Sequence, residues 1–437
     1  MFSIINNMKI QYSASILTAF ALGVAAISLC SFKKEEKKPP VNHRKELDTI
    51  QRAKCVKAMD IVNGWRGESP EVGRRSLKIV YWSPNDREPQ PNHKKRLNEI
   101  LLDIQKYYAR EMERNHLGKL TLKFDKDDTG AIQIIDVKGK HPYKHYQVQS
   151  GREIYQDAKA HLKKLKIDAD KETVVIFCNM SNWDAGAKKI SQNSPYYAKG
   201  SSVSGTAWQV DSAILNLKDL TNMKDRVQDG QYGNITLGKY NTIFIGGIAH
   251  ELGHAFGLPH NLETRVEARA YGIALMGSGN RAYGNELRKD GPPAFLTQAS
   301  ALKLATHPMF SGITKEMHKP VSFGYEGLQT ATTDTELALK GKVNSTVPSY
   351  AVVAFVDPDG GSDYDATTFV AIPEKDGSFL LKLPKGTFKR KSKKGQIRLV
   401  TYFANGASSS LNWAQKKGVI PYSHSKDDKL ELGPPRL

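Results

Sequence analysis

Three histidines between residues 241 and 261 have the type and the spacing needed for metal chemistry. His250 and His254 lie four residues apart, and on an α-helix this spacing returns a side chain to nearly the same face, so both imidazoles can bind one ion. Gly257 follows, where a residue without Cβ can end the helix in the left-handed conformation and turn the chain back. The turn brings His260 to the same ion as a third ligand.

A glutamate next to the first histidine completes the chemistry. Three neutral imidazoles leave the fourth position of tetrahedral Zn2+ open for water, which is the arrangement of a catalytic site. Zinc lowers the pKa of that water from about 16 to about 7. Glu251 is placed to hold the water and to accept its proton as general base. The spacing therefore predicts one zinc ion per chain and hydrolysis of an amide bond.

The residues around these histidines predict the helix that must position them. Apolar side chains recur at helical spacing, which indicates a buried face behind the metal face. These side chains are Ile245, Ile248, Ala249, Leu252, Ala255 and Phe256. Asn241 is a suitable N-cap for this helix. The alternative is that the histidines are ordinary polar residues of a surface helix.

The stretch from His250 to His260 matches HExxHxxGxxH, so the chain resembles the metzincin clan of zinc metallopeptidases. The resemblance from residue 241 through the methionine segment described below covers about a tenth of the chain, and its motif is highly specific. The resemblance implies a methionine-containing turn beneath the zinc, for which Met276 in ALMGSGN is the candidate. It also implies the fold, the zinc ion and the peptidase activity of that clan.

Two positions depart from the branches of the clan. Asn261 follows the third histidine, where the matrixin-like, adamalysin-like and astacin-like branches have Ser, Asp and Glu. Ser278 lies two residues after the methionine, where astacin-like and serralysin-like enzymes have a tyrosine that can assist at the metal. The subfamily is therefore not assigned, and this turn supplies no tyrosine.

The charge of the chain indicates acidic partners. The formal net charge is +19, which favours approach to anionic glycans, phospholipid headgroups or acidic proteins. The lysines are scattered and no nucleic-acid-binding signature is present, so we expect no specific nucleic-acid binding. A protein or peptide substrate is the expected partner, with an anionic surface or glycan as a further one. The oligomeric state stays open.

The first forty residues predict export. Lys9 precedes an apolar run from Ala14 to Cys30, which is followed by charged residues. The segment could be lipidated at Cys30 as in a bacterial lipoprotein, could direct simple secretion, or could stay uncleaved as a membrane anchor. All three outcomes place the protein outside the cytoplasm. Cys55 and Cys178 remain, and they either form one bridge or stay as thiols.

The region from 76 to 325 is predicted to be the catalytic domain, preceded by an N-terminal extension at 41–75. Strand-like and helix-like segments alternate, which predicts an α+β fold with helices packed on a mixed sheet. The segments are LKIVYW, a helix at 92–114, a hairpin of KLTLKF and AIQIIDV, a helix at 152–165, the strand TVVIFCNM and a helix at 298–305. This order resembles the metzincin upper subdomain, which implies a sheet edge that binds substrate as an added strand. Our candidate for that edge is SSVSGTAW, with substrate contacts from Ser204, Gly205, Thr206 and Ala207.

The region from 330 to 437 has the pattern of an all-β accessory domain. Short apolar alternations are separated by Gly, Pro and Asp turns, which predicts an immunoglobulin-like or transthyretin-like sandwich. We find no catalytic constellation there, and the basic run Lys389–Lys394 is a solvated loop or a contact for anionic glycans. We therefore expect a chain truncated near residue 325 to fold.

The sequence as a whole predicts an exported zinc-dependent endopeptidase. One alternative is an extracellular binding or adhesion protein with a vestigial zinc site, and another is a zinc amidase that acts on cell-wall peptides. The presence of Glu251 argues against the binding protein, because a protein that has lost its peptidase activity does not need a general base. The amidase would use the same ligands.

Overall fold

The computed structural model describes residues 43–68, 71–73, 75–358, 363–385, 394–408, 419–424 and 430–435. The predicted export segment with Cys30, and most of the basic run Lys389–Lys394, lie outside these residues. None of the helices in the described ranges is both long and apolar enough to cross a membrane. The helices are α1 (His43–Arg66), α2 (His93–Arg114), α3 (Gly151–Lys164), α4 (Leu237–Ala255), α5 (Arg265–Ala270), α6 (Asn285–Arg288), α7 (Gln298–Ala305) and α8 (Pro308–Ser311).

The strands form two regions that match the predicted α+β fold followed by an all-β sandwich. Those of the first region are β1 (Lys78–Ser83), β2 (Ile134–Lys138), β3 (Thr173–Cys178), β4 (Ser181–Asp184), β5 (Lys189–Gln192), β6 (Tyr197–Gly200), β7 (Gly205–Val210), β8 (Arg226–Asp229), β9 (Gly233–Thr236), β10 (Ile273–Ala274) and β11 (Ala294–Phe295). Those of the second are β12 (Phe323–Thr332), β13 (Glu336–Ser345), β14 (Ser349–Pro358), β15 (Thr367–Ala371), β16 (Ser378–Pro384), β17 (Lys394–Phe403), β18 (Val419–His424) and β19 (Leu430–Leu432).

A mixed five-stranded sheet carries the first region. Its order is β2-β1-β3-β7-β6, with parallel pairing up to β7 and an antiparallel β6. Every residue of β3 is buried, because helices cover both faces of the sheet. Helices α2 and α4 pack on one face and α3 packs on the other. The predicted helices at 92–114, 152–165 and 298–305 are confirmed by α2, α3 and α7.

The predicted substrate edge is wrong by one strand. Strand β7, which holds Gly205, Thr206 and Ala207, pairs with β3 on one side and with β6 on the other. Its backbone groups are therefore used inside the sheet, and the edge is β6. Strand β6 has the sequence YAKG, which is too short and polar to be recognised as a strand from the sequence. Short edge strands that carry a lysine are common, because they keep sheet edges from aggregating.

Two further local predictions are wrong. The segment KLTLKF forms no strand and contributes one isolated bridge, Leu77 to Phe124, while the second arm of the predicted hairpin becomes β2 and pairs in parallel with β1. Asn241 lies inside α4, which begins at Leu237 and is capped by Thr236, whose Oγ1 accepts from the Lys239 amide at 3.1 Å.

The second region is an antiparallel sandwich. One sheet has the order β12-β13-β16 and the other β15-β14-β17-β18-β19. Apolar side chains of β13 and β16 meet those of β14 and β17 between the sheets, as expected for alternating strands. The sequence alternation past residue 330 therefore predicted this architecture correctly.

The sandwich and the first region share a hydrophobic core, and residues 42–437 form one compact unit. Strand β14 is buried along nine of its ten residues. Val352 and Ala354 face the partner sheet, while Val353 and Phe355 belong to the core that also contains α2, α4 and α7. Helix α1, from the predicted N-terminal extension, packs into the same core. The expectation that the chain before residue 325 folds alone stays a prediction, and the shared core argues against it.

Candidate metal centre

The histidines of the motif converge in space. The Nε2 atoms of His250 and His254 lie 3.1 Å apart, those of His254 and His260 2.9 Å, and those of His250 and His260 3.3 Å. Tetrahedral Zn2+ at its usual Zn–N distance separates two ligand nitrogens by about 3.4 Å. We call these three residues the motif triad, and its ring nitrogens lie slightly closer together than they would around a zinc ion.

Backbone carbonyls fix the protons of two rings. The Nδ1 of His250 donates to the Leu275 carbonyl at 2.6 Å, and the Nδ1 of His254 donates to the Leu258 carbonyl at 2.8 Å. Because a carbonyl can only accept, the proton of each neutral ring belongs on Nδ1, and the Nε2 lone pair faces the centre of the triad. Such outer contacts are typical of histidines that hold a metal ion.

Burial keeps the rings neutral. It lowers the pKa of His250 to about 4 and the pKa of His260 to about 3, with a further contribution from the neighbouring histidine rings. At neutral pH these imidazoles therefore carry no charge, and their lone pairs are available to a cation.

A glycine turn delivers the third histidine. Gly257 has a φ of +82°, and a Cβ at this position would lie 2.9 Å from the Ser201 Cα. Both facts require glycine, because a side chain would be strained in this conformation and would meet the neighbouring backbone. The turn also hydrogen-bonds back to the helix, since the Leu258 amide donates to the Gly253 carbonyl at 2.9 Å.

Met276 lies against α4, where the resemblance placed a methionine turn. It is buried, and a Cβ on Gly253 would lie 2.5 Å from its Sδ. Its carbonyl accepts from the Asn261 amide at 3.2 Å. The Asn261 side chain donates to the Ser300 Oγ at 3.0 Å, so the residue that departs from the known branches ties the turn to α7.

Glu251 faces a water-poor environment. Burial raises its pKa to about 7. Burial raises the pKa of two nearby phenols, Tyr196, which precedes β6, and Tyr364 of the sandwich. The negative charge of Glu251 raises the pKa of both phenols further. A carboxyl group with this pKa can both accept and release a proton at neutral pH.

Tyr364 is a site residue that the sequence did not reveal. It lies in the short turn Asp363–Asp365 between β14 and β15, and its ring stacks on the His260 ring with centroids 3.5 Å apart and planes at 26°. The connection is reinforced nearby, because the Leu262 amide donates to the Ala366 carbonyl at 2.7 Å. The sandwich therefore contacts the motif triad, although we predicted no site residue there. In the sequence this tyrosine stands in a Gly- and Asp-rich turn, which gives no sign of its contact.

The predicted substrate residues lie beside the end of α4. A Cβ on Gly205 would be 2.0 Å from the Ala255 carbonyl oxygen, and one on Gly200 would be 1.9 Å from it. Thr206 and Ala207 are paired on both sides inside the sheet, so they do not form an edge. Ser204 lies in the turn between β6 and β7, where its carbonyl accepts from the Ser201 amide at 2.8 Å.

The edge strand β6 runs along α4. A Cβ on Gly247 would meet the Tyr196 hydroxyl, while Gly200 at the other end of β6 approaches Ala255. Strand β6 therefore passes the position of Glu251 along the helix.

The cysteines of the described chain are free and buried. Burial raises the pKa of the Cys55 thiol, and it raises the pKa of Cys178 to about 12. The pairing that the sequence left open is absent from this structure, and neither residue is poised as a thiolate.

Comparisons with solved structures found chains that are similar to this one. The chain is similar to wild-type OgpA from Akkermansia muciniphila, with a TM-score of 0.68 and 26% identity over 84% of this chain and 97% of that chain. It is also similar to a catalytically inactive OgpA in complex with an O-glycopeptide substrate, glycodrosocin, with a TM-score of 0.67 and 25% identity over 84% and 96% of the two chains. No protein-family profile matches the chain, and no curated protein matches it.

Proposed function

We propose that this chain is a zinc-dependent endopeptidase of metzincin type that cleaves O-glycosylated peptides. The observation that carries the proposal is the motif triad, in which backbone carbonyls hold the outer ring protons and the Nε2 atoms lie 2.9 to 3.3 Å apart. Three neutral acceptors at this separation repel one another unless a cation or a proton lies between them.

His250, His254 and His260 would hold one zinc ion. When bound, the ion supplies Lewis-acid polarisation of the attacking water and of the scissile carbonyl. His250 and His254 keep their lone pairs inward through the Leu275 and Leu258 carbonyls, and Met276 and Gly257 support the helix and the turn.

Glu251 moves the proton. Its carboxylate accepts a proton from the water as the water attacks the peptide carbonyl, and the protonated form then donates to the nitrogen of the leaving amine. A pKa of about 7 suits both steps, because neither form is strongly preferred at neutral pH. General acid–base assistance of this kind is worth about a hundredfold to ten-thousandfold in rate.

The substrate class follows from the sheet edge and from the comparison. Strand β6 leaves one row of backbone groups unpaired within the sheet, and an extended peptide could add to it as a further strand. OgpA has been solved with an O-glycopeptide substrate, and this chain is similar to it over most of its length. The net charge of +19 favours acidic glycopeptides.

We also propose that the enzyme is exported. The proposal depends on the charged and apolar pattern of residues 1–40, with Cys30 as a candidate lipid attachment site. Labelling of the expressing cell with a lipid precursor, beside the same cell with Cys30→Ala, would separate a lipoprotein from a secreted protein.

A matched set of peptides tests the activity. We expect the wild type to cleave a threonine-containing peptide that carries an O-linked sugar, and to cleave the same peptide without the sugar more slowly. Mass spectrometry of the products identifies the bond. Cleavage of cell-wall stem peptides alone would support the amidase, and no cleavage of any of the three by the zinc-loaded wild type would support the binding protein.

A further inference from the structure

A second group of metal-ligating side chains lies outside the motif triad. His141 follows β2, His145 ends the short 3-10 turn Tyr143–His145, and Glu153 lies in the first turn of α3. The His145 Nε2 lies 3.0 Å from the Glu153 Oε1, and the His141 Nε2 lies 3.7 Å from the same oxygen. Their ligand atoms all lie within 4.8 Å of one another. We call these three residues the loop cluster.

The loop cluster brings the ligand atoms of three side chains to one point. The Nε2 atoms of His141 and His145 both approach the Glu153 Oε1, and the His145 Nε2 also lies 3.3 Å from the Oε2. The His141 and His145 rings lie side by side, with centroids 4.1 Å apart and planes at 32°. Ligands of tetrahedral zinc are separated by about 3.4 Å, which lies between the two observed distances to Oε1.

The loop is fastened to the core, so the rings are positioned before any ion arrives. Tyr146, which is buried, accepts from the His141 amide at 3.0 Å through its hydroxyl and packs edge-on against Trp82. The His145 amide donates to the Pro142 carbonyl at 3.0 Å. Contacts of this kind reduce the ordering cost of binding, because the ligands are already close together.

We propose that the loop cluster is a second zinc site, in which His141, His145 and Glu153 bind the ion and water completes its coordination. Two histidines and one carboxylate are a ligand set that zinc uses in proteins. The side chains are 41 to 48% exposed, so this ion exchanges with solvent more easily than one in the motif triad.

The proposed ion would fasten the connection between β2 and α3. This connection lies against the chain near β4 and β6, since the Asn182 side chain donates to the Tyr143 hydroxyl at 3.2 Å and a Cβ on Gly151 would meet the Tyr197 hydroxyl. Tyr197 is the first residue of the edge strand β6. The second zinc is therefore a structural ion that steadies the chain beside the proposed peptide-binding edge, and its binding does not depend on the proposed peptidase activity.

Zinc content of the full chain tests the site. Wild type, His145→Ala and Glu153→Gln are dialysed against zinc buffered at about 1 μM free ion and then analysed by metal mass spectrometry. We expect two zinc ions in the wild type and one in each variant. The control His161→Ala changes a histidine of α3 outside the cluster and should keep two ions.

The variant His254→Ala separates the two sites. It should keep one zinc, and His254→Ala with His145→Ala should keep none. One zinc in the wild type, or two in His145→Ala, would overturn the proposal. Circular dichroism confirms that each variant is folded, and Glu153→Gln guards against a packing defect because it keeps the shape of the side chain.

Discussion

The motif triad and the loop cluster both bring ring nitrogens together, but they do so in different surroundings. In the triad, His250 is only 4% exposed and backbone carbonyls hold the outer nitrogens of two rings. In the loop cluster His141 and His145 are nearly half exposed, and carboxylate contacts join the Nε2 atoms themselves. If both proposals hold, the same residue type serves catalysis in one place and an exchangeable structural ion in the other.

The difference shows what a ligand motif needs beyond spacing. Burial holds the imidazoles neutral, and the carbonyl contacts select the tautomer that points a lone pair inward. A carboxyl group with a raised pKa, the proposed general base, lies beside the triad, whereas the carboxylate of the loop cluster is itself a candidate ligand. Under the proposed mechanism, catalysis would depend on the contacts behind the ligands as well as on the ligands themselves.

The largest expected effect comes from removing the sandwich. A chain ended at residue 325 exposes the core side chains that now meet Val353 and Phe355, and it removes the ring that covers His260. We expect no cooperative thermal unfolding transition and no zinc at the motif triad. Calorimetry of 42–325 beside 42–437 measures this, and a normal transition in the shorter chain would show that the shared core is dispensable.

Replacing Glu251 by Gln should lower turnover about a hundredfold to ten-thousandfold, or about 3 to 5 kcal/mol, because the base is lost while the shape of the side chain is kept. Zinc content and melting temperature should change little. The matched control is Glu113→Gln, an exposed glutamate of α2 outside both clusters, which should leave turnover within about twofold. Equal rates for the wild type and Glu251→Gln on any peptide that the wild type cleaves would contradict the proposed mechanism.

His307 is a buried histidine outside both candidate metal sites, so it tests how burial alone affects stability. It is 1% exposed and burial lowers its pKa to about 3, so the folded chain binds this proton more weakly than the unfolded chain does. Its contribution to stability is complete above an unfolded-state pKa of about 6.5 and is lost as the pH falls below that value. We expect a loss of about 2 kcal/mol between about pH 7.5 and about pH 5.

The variant His307→Asn isolates that titration. The Nδ1 of His307 accepts from the Met309 amide at 3.1 Å, and an asparagine oxygen can replace this contact. Urea unfolding should therefore show a shallower dependence on pH in the variant, whatever stability the smaller side chain costs at neutral pH. Parallel curves for the two proteins would rule out His307 as the titrating group.

The smallest expected effect concerns the ring that stacks on His260. Tyr364→Ala removes a contact worth about 0.5 to 1.5 kcal/mol, so we expect kcat/KM to fall about twofold to tenfold. Tyr364→Phe keeps the stacked ring and should resemble the wild type. If Phe is as poor as Ala, the phenol hydroxyl acts in the reaction and the sandwich supplies a chemical group.

The sequence predicted the features that depend on neighbouring residues. A four-residue spacing on a helix, followed by a glycine that can take a positive φ, places His250, His254 and His260 together through local geometry alone. Long buried runs such as TVVIFC and the strict alternation past residue 330 also predicted strands correctly, because periodicity reports burial directly.

Features that depend on distant contacts were missed. Asn241 looked like a cap, but its side chain accepts from the Asn216 amide at 2.6 Å, so a loop contact satisfies it inside the helix. Strand β6 is short and polar, and its pairing with β7 is what makes it a strand. The stacking of Tyr364 on His260 joins residues about a hundred positions apart, and no local pattern encodes such a contact.

The two faces of β14 belong to two different cores, and this arrangement constrains how the sequence can evolve. A substitution at Val352 alters packing between the sheets of the sandwich. A substitution at Val353 alters packing in the core that contains α4. The sandwich cannot be exchanged as a module without matching the surface below it. We therefore expect lineages of this enzyme to vary the exposed face of the outer sheet β12-β13-β16, and to inherit β14 together with α1 and α7 as one block.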